Sequence, residues 1–542
     1  MSFTRPVLLV GGATALSRLL GFVRDALIAA ALGSGFVADA FFVAFRLPNL
    51  FRRVLGEGAL NPAFVPVHER IRSGHGNEAA HSFTHRAITG AGVILITLAM
   101  AGDVAAPGLV LALAPGFSVD PLKFALAVKY TRLAFPFLAF AVLASLMASA
   151  LNSQRRFASA ALAPVVVNII LVALLIILRL TEQNERDSAR FLASAVGLSG
   201  LAQVGWLLIS LWRSPAGLPF TRPRWTAELR ILCLLALPGI AASGATQMAV
   251  VAATQVASAL PGAVSWLYYA DRLYQLPLGF IAVAMGTVLL PEIARCVREG
   301  DHGGESDVIN RACELALLVT LPAAAGLLAL SAPIVSVLFE HGAFAAHDTV
   351  ETAHAARWLA LALPGAALAK IFAQPFFARE RPAVPLLAAL AVVMITLSFG
   401  YLLRASLGAA GIALAIALAA TVQASFLGMV LMWRAIAMPQ RKTLGRSLAI
   451  LASGLAMAVA LKLLRPLSSP LLSPSHSFPM RFGVLLLLCG LGGVLFCALV
   501  MALGGVDRAV LRSFWRSKGT PAAQPGNSEP IKAPTQRQWA DG

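Results

Sequence analysis

Val7–Leu32 reads VLLVGGATALSRLLGFVRDALIAAAL. It is an almost wholly apolar run, long enough to cross a hydrocarbon core of about 30 Å. Yet Arg18, Arg24 and Asp25 sit in its middle. A charge at the bilayer centre costs from about 2.5 to more than about 10 kcal/mol, so such residues face a bundle interior or a water-filled cavity. The next apolar stretch has the same character, with Asp39, Arg46, Arg52, Arg53 and Glu57. Mostly cationic, these residues point to a pocket for an anion inside a membrane.

The rest of the chain agrees with a membrane setting. It is 58% hydrophobic and 13% charged, with mean hydropathy +0.79; soluble domains carry about 25% charged residues. The first apolar run is too long and too charged for a cleaved signal segment. The net charge of +18 comes from arginines spread among short loops, a topology signal, and not from a nucleic-acid motif. No nucleic-acid partner is expected. Cys233, Cys296, Cys313, Cys489 and Cys497 have no metal spacing and read as small apolar residues.

Apolar periodicity predicts an all-α integral membrane protein of about fourteen spans. Their approximate limits are 7–32, 37–66, 87–113, 123–151, 157–179, 191–212, 229–260, 265–294, 312–338, 352–378, 383–403, 409–433, 444–464 and 482–504. The second is interrupted by Pro48, Pro62 and Pro66, each of which removes a backbone donor. Basic residues gather in alternate loops: Arg70, Arg72 and Arg86; Arg155 and Arg156; Arg213, Arg222, Arg224 and Arg230; Arg295, Arg298 and Arg311; Arg379 and Arg381; Arg434, Arg441, Lys442 and Arg446. Arg186 and Arg190 are the main exceptions. This positive-inside pattern puts both termini in the cytoplasm. The Pro-, Gln- and Ser-containing tail after Lys518 reads as disordered.

A faint repeat links Ala44–Leu50 with Ala270–Leu276, and the endings Val65–Arg70 and Leu290–Arg295 follow each at similar distance. Six spans separate the copies, so two parallel six-helix lobes are expected, as in many transporters. The division is 1–220 for an N-terminal lobe, 221–440 for a C-terminal lobe, 441–506 for two further spans and 507–542 for a cytoplasmic tail.

Helical spacing groups Ser17, Gly21 and Arg24 on one face, with Arg18 and Asp25 beside it. Asp39, Arg46 and Arg53 are spaced by seven, although Pro48 can alter that register and leaves open whether Arg52 or Arg53 points inward. Asp271, Arg272 and Lys370 come from later spans. Guanidinium groups bind phosphate oxygens bidentately and stay charged when desolvated, so a converging set suits a diphosphate. The structural alternative is an internal network, Arg24 with Asp39 or Arg272 with Asp271. Gly21 is either a packing position or a bend. His341, His347 and His354 lie near an outside loop with Glu340, Asp348 and Glu351, and solvated loop residues are preferred there to a metal site. No metal or cofactor is expected. Ser17 and Ser265 lack an intramembrane histidine, so no enzyme signature stands out.

The run Ser17–Asp25, then Asp39-Ala40-Phe41, Phe45–Arg53, Glu57-Gly58-Ala59 and Ala63–Pro66, resembles the MurJ (MviN) family of lipid II flippases in the MOP exporter superfamily. Tyr268–Leu273, Leu338–Phe344 and Leu151–Phe157 are similar to its later motifs, and the likeness runs to about residue 505. The resemblance implies a V-shaped transporter with two lobes around a cationic cavity, and a groove for the polyprenyl tail at spans thirteen and fourteen. It assigns the diphosphate to Arg18, Arg24, Arg52 and Arg272. Asp39, Asp25, Glu57 and Gly21 fall to ion pairing and gating, and Arg53, Asp271 and Lys370 are secondary cavity candidates. Where relatives often carry an acid, this chain has Arg381, so sodium coupling stays open. Lipid II, membrane lipids and cell-wall synthesis machinery are the implied partners of a monomer in the bacterial inner membrane. The expected mechanism is alternating access driven by the membrane potential. Export of another lipid-linked saccharide, or a scaffold role, is the alternative.

Overall fold

The computed structural model describes residues 4–506, apart from 216, 219, 220, 223, 225 and 285–287. Among these residues the chain is helical, without a strand. Its helices are α1 (Thr4–Leu32), α2 (Phe36–Phe51), α3 (Asn61–Val104), α4 (Ala106–Leu113), α5 (Pro121–Ala134), α6 (Pro136–Ser153), α7 (Phe157–Leu180) and α8 (Glu185–Trp212). There follow α9 (Ala227–Ala257), α10 (Ala263–Ala284), α11 (Leu290–Glu299), α12 (His302–Phe339), α13 (Ala346–Ala378), α14 (Ala383–Trp433), α15 (Arg441–Ser468) and α16 (Phe478–Ala502). Among the described residues each expected span falls mainly on helix. Ten helical stretches are long and apolar enough to cross a membrane. Two of these stretches, Phe36–Val104 and Ala383–Trp433, each run through two expected spans. Gly76 (φ 84°) kinks α3, and Gly408 (φ 59°) kinks α14 at the boundary expected between spans eleven and twelve. The fourth expected span is split instead, into α5 and α6. Pro136 has no N–H to continue the ladder, and Leu138 N closes a tighter bond to Phe135 O at 3.0 Å. The tail, 507–542, lies outside the described residues.

Pro48 leaves a second mark. The helix passes from α2 into a π-helical segment, Arg52–Leu60, before α3 begins. Hydrogen bonds at i→i+5 bring residues five apart onto one face. The segment is pressed between neighbours. A Cβ on Gly58 would lie 2.2 Å from Ser243 of α9, and one on Gly239 would lie 2.3 Å from Gly58 O. The absence of side chains is what lets α9 lie on the π segment. Ser243 Oγ also donates to Val54 O at 3.3 Å.

α1 packs mainly on α7, and α2 on α5, while α13 packs on α12 and α14. α9 touches both the π segment and α14. The core is made of close-packed small and aromatic side chains, including Phe41, Phe42, Tyr269 and Phe339, each 1% exposed or less. With lipid tails as solvent, close packing and interhelical hydrogen bonds carry the association, which suits so many buried alanines. α15 and α16 pack on each other and on α12.

Candidate functional site: a cationic centre and a sealed end

Five helices supply the centre. Asp25 of α1 is 2% exposed. Arg24 gives it hydrogen bonds from Nε at 3.0 Å and Nη2 at 2.7 Å. Arg272 of α10 brings Nε to 3.1 Å from the other carboxylate oxygen, as an ion pair out of line for a hydrogen bond. Tyr268 Oη donates to Asp25 from 3.4 Å. Arg24 also donates to Asn168 Oδ1 of α7 at 3.0 Å, and Asn168 Nδ2 reaches back to Ser17 O at 3.0 Å. One asparagine therefore fixes both the arginine and the helix that bears it.

The Tyr268 ring is the floor of this centre. Arg272 lies over it at 4.3 Å and Arg46 at 5.8 Å, and Phe42 stacks against it at 3.9 Å. Arg46 and Arg272 hold matching positions in the sequence repeat, and they meet on a single ring. Arg46 also donates to Thr254 of α9. Asp271 accepts from Gln275, not from Arg272. Arg18 Nη2 lies 3.4 Å from Gly279 O, where a Cβ would come within 2.6 Å of Arg18 Nη1. Arg24, Arg46 and Arg272 thus gather around Asp25, Asp271 and Tyr268, an excess of positive charge in a partly buried setting, with Arg18 next to α10 at Gly279.

Arg52 pairs with Glu57 at 2.5 Å, five residues on, a partnership created by the π segment. Arg52 takes the carboxylate, while Arg53, which makes no hydrogen bond among the described residues, lies within electrostatic reach of Arg52 and Arg272. Asp39 and Arg46 lie on α2 ahead of the π segment, and Arg53 is its second residue; Arg46 and Arg53 both lie within electrostatic reach of Asp271 and Arg272. Lys370 of α13 is exposed and pairs with none of these groups. Gly21 sits within a continuous helix in this state. A Cβ there would touch Asn168 at an ordinary 3.7 Å.

Asp39 belongs elsewhere. It is fully buried and does not meet Arg24. It accepts from Lys123 Nζ of α5 at 2.7 Å, from Gly262 N at 2.9 Å, and from Ser265 N and Oγ at 3.0 and 2.7 Å. It therefore caps the start of α10 from another helix, using the free N–H groups found at any helix N-terminus. Around it the bundle is sealed. Tyr269 Oη donates to Gly33 O at 2.9 Å, Ala343 N to Ala30 O at 2.9 Å, and Trp266 Nε1 to Ser34 Oγ at 2.5 Å. Gly33 (φ 59°) could bear no side chain, since a Cβ would lie 2.5 Å from Ala343 O. Of the histidines weighed above as metal ligands, His341 bonds to Val337 O and His347 meets Trp266 edge to face. No group of three potential metal ligands occurs among the described residues.

Asn168, Lys123, Thr254 and Tyr268 carry roles that the sequence reading did not assign. An asparagine and a lysine inside expected spans were the available signals. Their partners lie far away in the chain.

A polytopic helical bundle with an arginine-rich buried centre, sealed at one end, has the makings of a membrane transporter for anionic cargo. A profile of the family "Lipid II flippase MurJ" matches residues 28–482. A probable lipid II flippase MurJ of Rhizobium meliloti (strain 1021) is 42% identical over 80% of this chain and 81% of the relative. One of Rhizobium tropici is 35% identical over 96% and 98%. The solved structure of lipid II flippase MurJ in an inward closed conformation superposes with TM-score 0.71 at 25% identity, covering 91% of this chain and 98% of that one. An inward-facing MATE multidrug transporter of the MOP superfamily shares the fold, with TM-score 0.66 at 17% identity over 77% and 94%. The chain belongs to the lipid II flippase MurJ family.

Proposed function

We propose that this protein carries lipid II from the cytoplasmic to the periplasmic leaflet of the bacterial inner membrane by alternating access, with both termini in the cytoplasm. The observation that carries the reading is Asp25, a single buried carboxylate shared by Arg24 and Arg272. A diphosphate entering the centre replaces one carboxylate with a group that accepts more hydrogen bonds. Arg24, Arg272 and Arg18 then hold it, with Arg52 released from Glu57 to join them. The Asp39 cap and the contacts around Gly33 close the periplasmic end in this state and must part for release. The polyprenyl tail stays in lipid throughout, beside α15 and α16.

An inside-negative potential favours outward movement of an anion by about 2.3 kcal/mol per charge per 100 mV. The potential is therefore the proposed driving force. A cavity richer in arginine than in acid suits this cargo and repels a cationic drug. The test replaces Arg24, Arg52 and Arg272 singly with Ala in a depletion strain, with membrane expression confirmed. Lipid II reaching the outer leaflet should fall at least about a hundredfold, the scale of two lost charge-assisted hydrogen bonds. Normal access with all three variants would make the arginines structural and defeat the proposal.

A further inference from the structure

α5 carries two different faces. Lys123, Ala127, Tyr130 and Ala134 recur at i, i+4, i+7 and i+11 and are buried in the bundle. Lys123 holds Asp39 there. On another side of the helix Ala125, Lys129 and Arg132 recur at i, i+4 and i+7, and all three are exposed. Lys129 and Arg132 follow Lys123 by six and nine positions, so they lie roughly 9 and 14 Å further along the helix. They fall inside the apolar stretch Pro121–Ser153, long enough to cross a membrane. A bare cation facing lipid at such a depth is costly.

One contact of these cations has a local cause. Pro107 of α4 has no N–H, so the carbonyl of Asp103, four residues before it, loses its helical donor. Arg132 Nε takes that place at 3.3 Å. Among the described residues this is the one hydrogen bond that either cation makes, and neither has an ion pair, with Asp103 or any other acid. Beside them is a cavity of about 540 Å³, lined by Pro107 of α4 and by Phe124, Val128, Lys129, Arg132 and Leu133 of α5, with Ala125 completing it. The two cations are themselves part of its wall, and the rest of the wall is apolar. No acid lines it, and no residue of α1, α2, α10, α15 or α16 does. It is therefore separate from the cationic centre and from the last two helices.

We infer that this furrow binds an anionic glycerophospholipid, its phosphate between Lys129 Nζ and the Nη groups of Arg132, and an acyl chain against Pro107, Phe124, Val128 and Leu133. Arginine binds phosphate oxygens in pairs without losing charge, and lysine adds a compact charge with three donors. The apolar wall selects a long-chain amphiphile over a soluble phosphate. A zwitterionic head brings its own cation to the same place, so a net-negative head is preferred. The bound lipid neutralises two cations on the helix whose buried face holds Asp39.

The full chain, purified in detergent, is titrated with dioleoyl phosphatidylglycerol. Native mass spectrometry counts retained lipid, and thermal melting reads stability. The wild type should retain one lipid more than K129Q/R132Q, and its melting midpoint should rise with added lipid, as expected for a ligand of the folded state. K129Q alone leaves Arg132 on the Asp103 carbonyl and should still weaken retention about tenfold, the scale of one hydrogen bond to a charged group. Ala125→Phe fills the furrow from the exposed face, keeps both cations, and should lose the same lipid. Dioleoyl phosphatidylcholine should be retained equally by the wild type and K129Q/R132Q. Glycerol phosphate, the head without chains, should leave the midpoint where it is. Equal retention of phosphatidylglycerol by the wild type and both cation variants would overturn the site. Full retention by Ala125→Phe would overturn the acyl chain's place in the furrow. Stabilisation by glycerol phosphate alone would overturn the lipid and leave a plain phosphate site.

Discussion

Asp25 and Asp39 are both buried carboxylates, 2% and 0% exposed, and they are held in opposite ways. Asp39 has one cation, Lys123, and three further hydrogen bonds from the first turn of α10. Its charge is balanced one to one, and every lone-pair direction is used. Asp25 faces Arg24 and Arg272 together, with Arg46 close by, and part of its coordination is poorly aligned. The number of cations per carboxylate separates a latch from a binding centre. A saturated pair holds two elements together, whereas an outnumbered carboxylate leaves positive charge for a ligand.

The largest effect expected from breaking this contrast is at the latch. Asp39→Ala strands the Lys123 charge in the interior. Removing one partner of a buried pair costs about 3–5 kcal/mol, so thermal melting in detergent should drop sharply. Asp25→Ala should cost less than half as much, because Arg24 keeps Asn168 and Arg272 keeps the Tyr268 ring. Equal losses for the two variants would erase the distinction.

A sharper probe leaves stability alone. Gly279→Ala puts a methyl where Arg18 Nη1 now lies, 2.6 Å away. The arginine is flexible and can move, so melting should stay near wild type. Flipping in proteoliposomes should fall about tenfold, within the range of one lost hydrogen bond to a charged group. An unchanged rate would remove Arg18 from the centre.

The smallest effect is expected at His68 of α3, a control with no role in either site. It is 2% exposed, stacks on Phe64 at 5.5 Å, and neither ring nitrogen has a hydrogen-bond partner. Burial pushes its pKa below the ordinary value, more strongly than Glu69 raises it. The folded state therefore favours the neutral ring. Its contribution is intact above about pH 6.5, the unfolded value, and is lost as pH falls toward the lower folded value. Amide-exchange protection across 61–72 should weaken between pH 7.5 and 5.5 in the wild type and stay flat in His68→Phe. Identical profiles would place the acid sensitivity elsewhere.

The spans were legible in the sequence because crossing a bilayer is a local demand, met by runs such as Val7–Leu32. The boundary expected between residues 403 and 409 falls at the Gly408 kink. The arginines announced themselves by their cost in lipid. What could not be read was partnership. Asp39 and Lys123 are eighty-four positions apart, and nothing local tells the lysine from a snorkelling one. Asn168 is a single amide in an apolar run, and its role arises only where α7 meets α1. The π segment was hidden for another reason. Pro48 announces a disturbance, but only the packing of α9 against Gly58 selects the wider turn over a simple kink.

That wider turn makes the Arg52 charge a gauge of helix pitch. At π pitch, residues five apart share a face and Arg52 meets Glu57; at α pitch the same two would point about 140° apart. Rewinding the segment would therefore free the arginine and turn Gly58 away from Ser243 in one motion. The winding of nine residues thus ties the availability of a charge to the fit between two helices, with no hinge or loop between them.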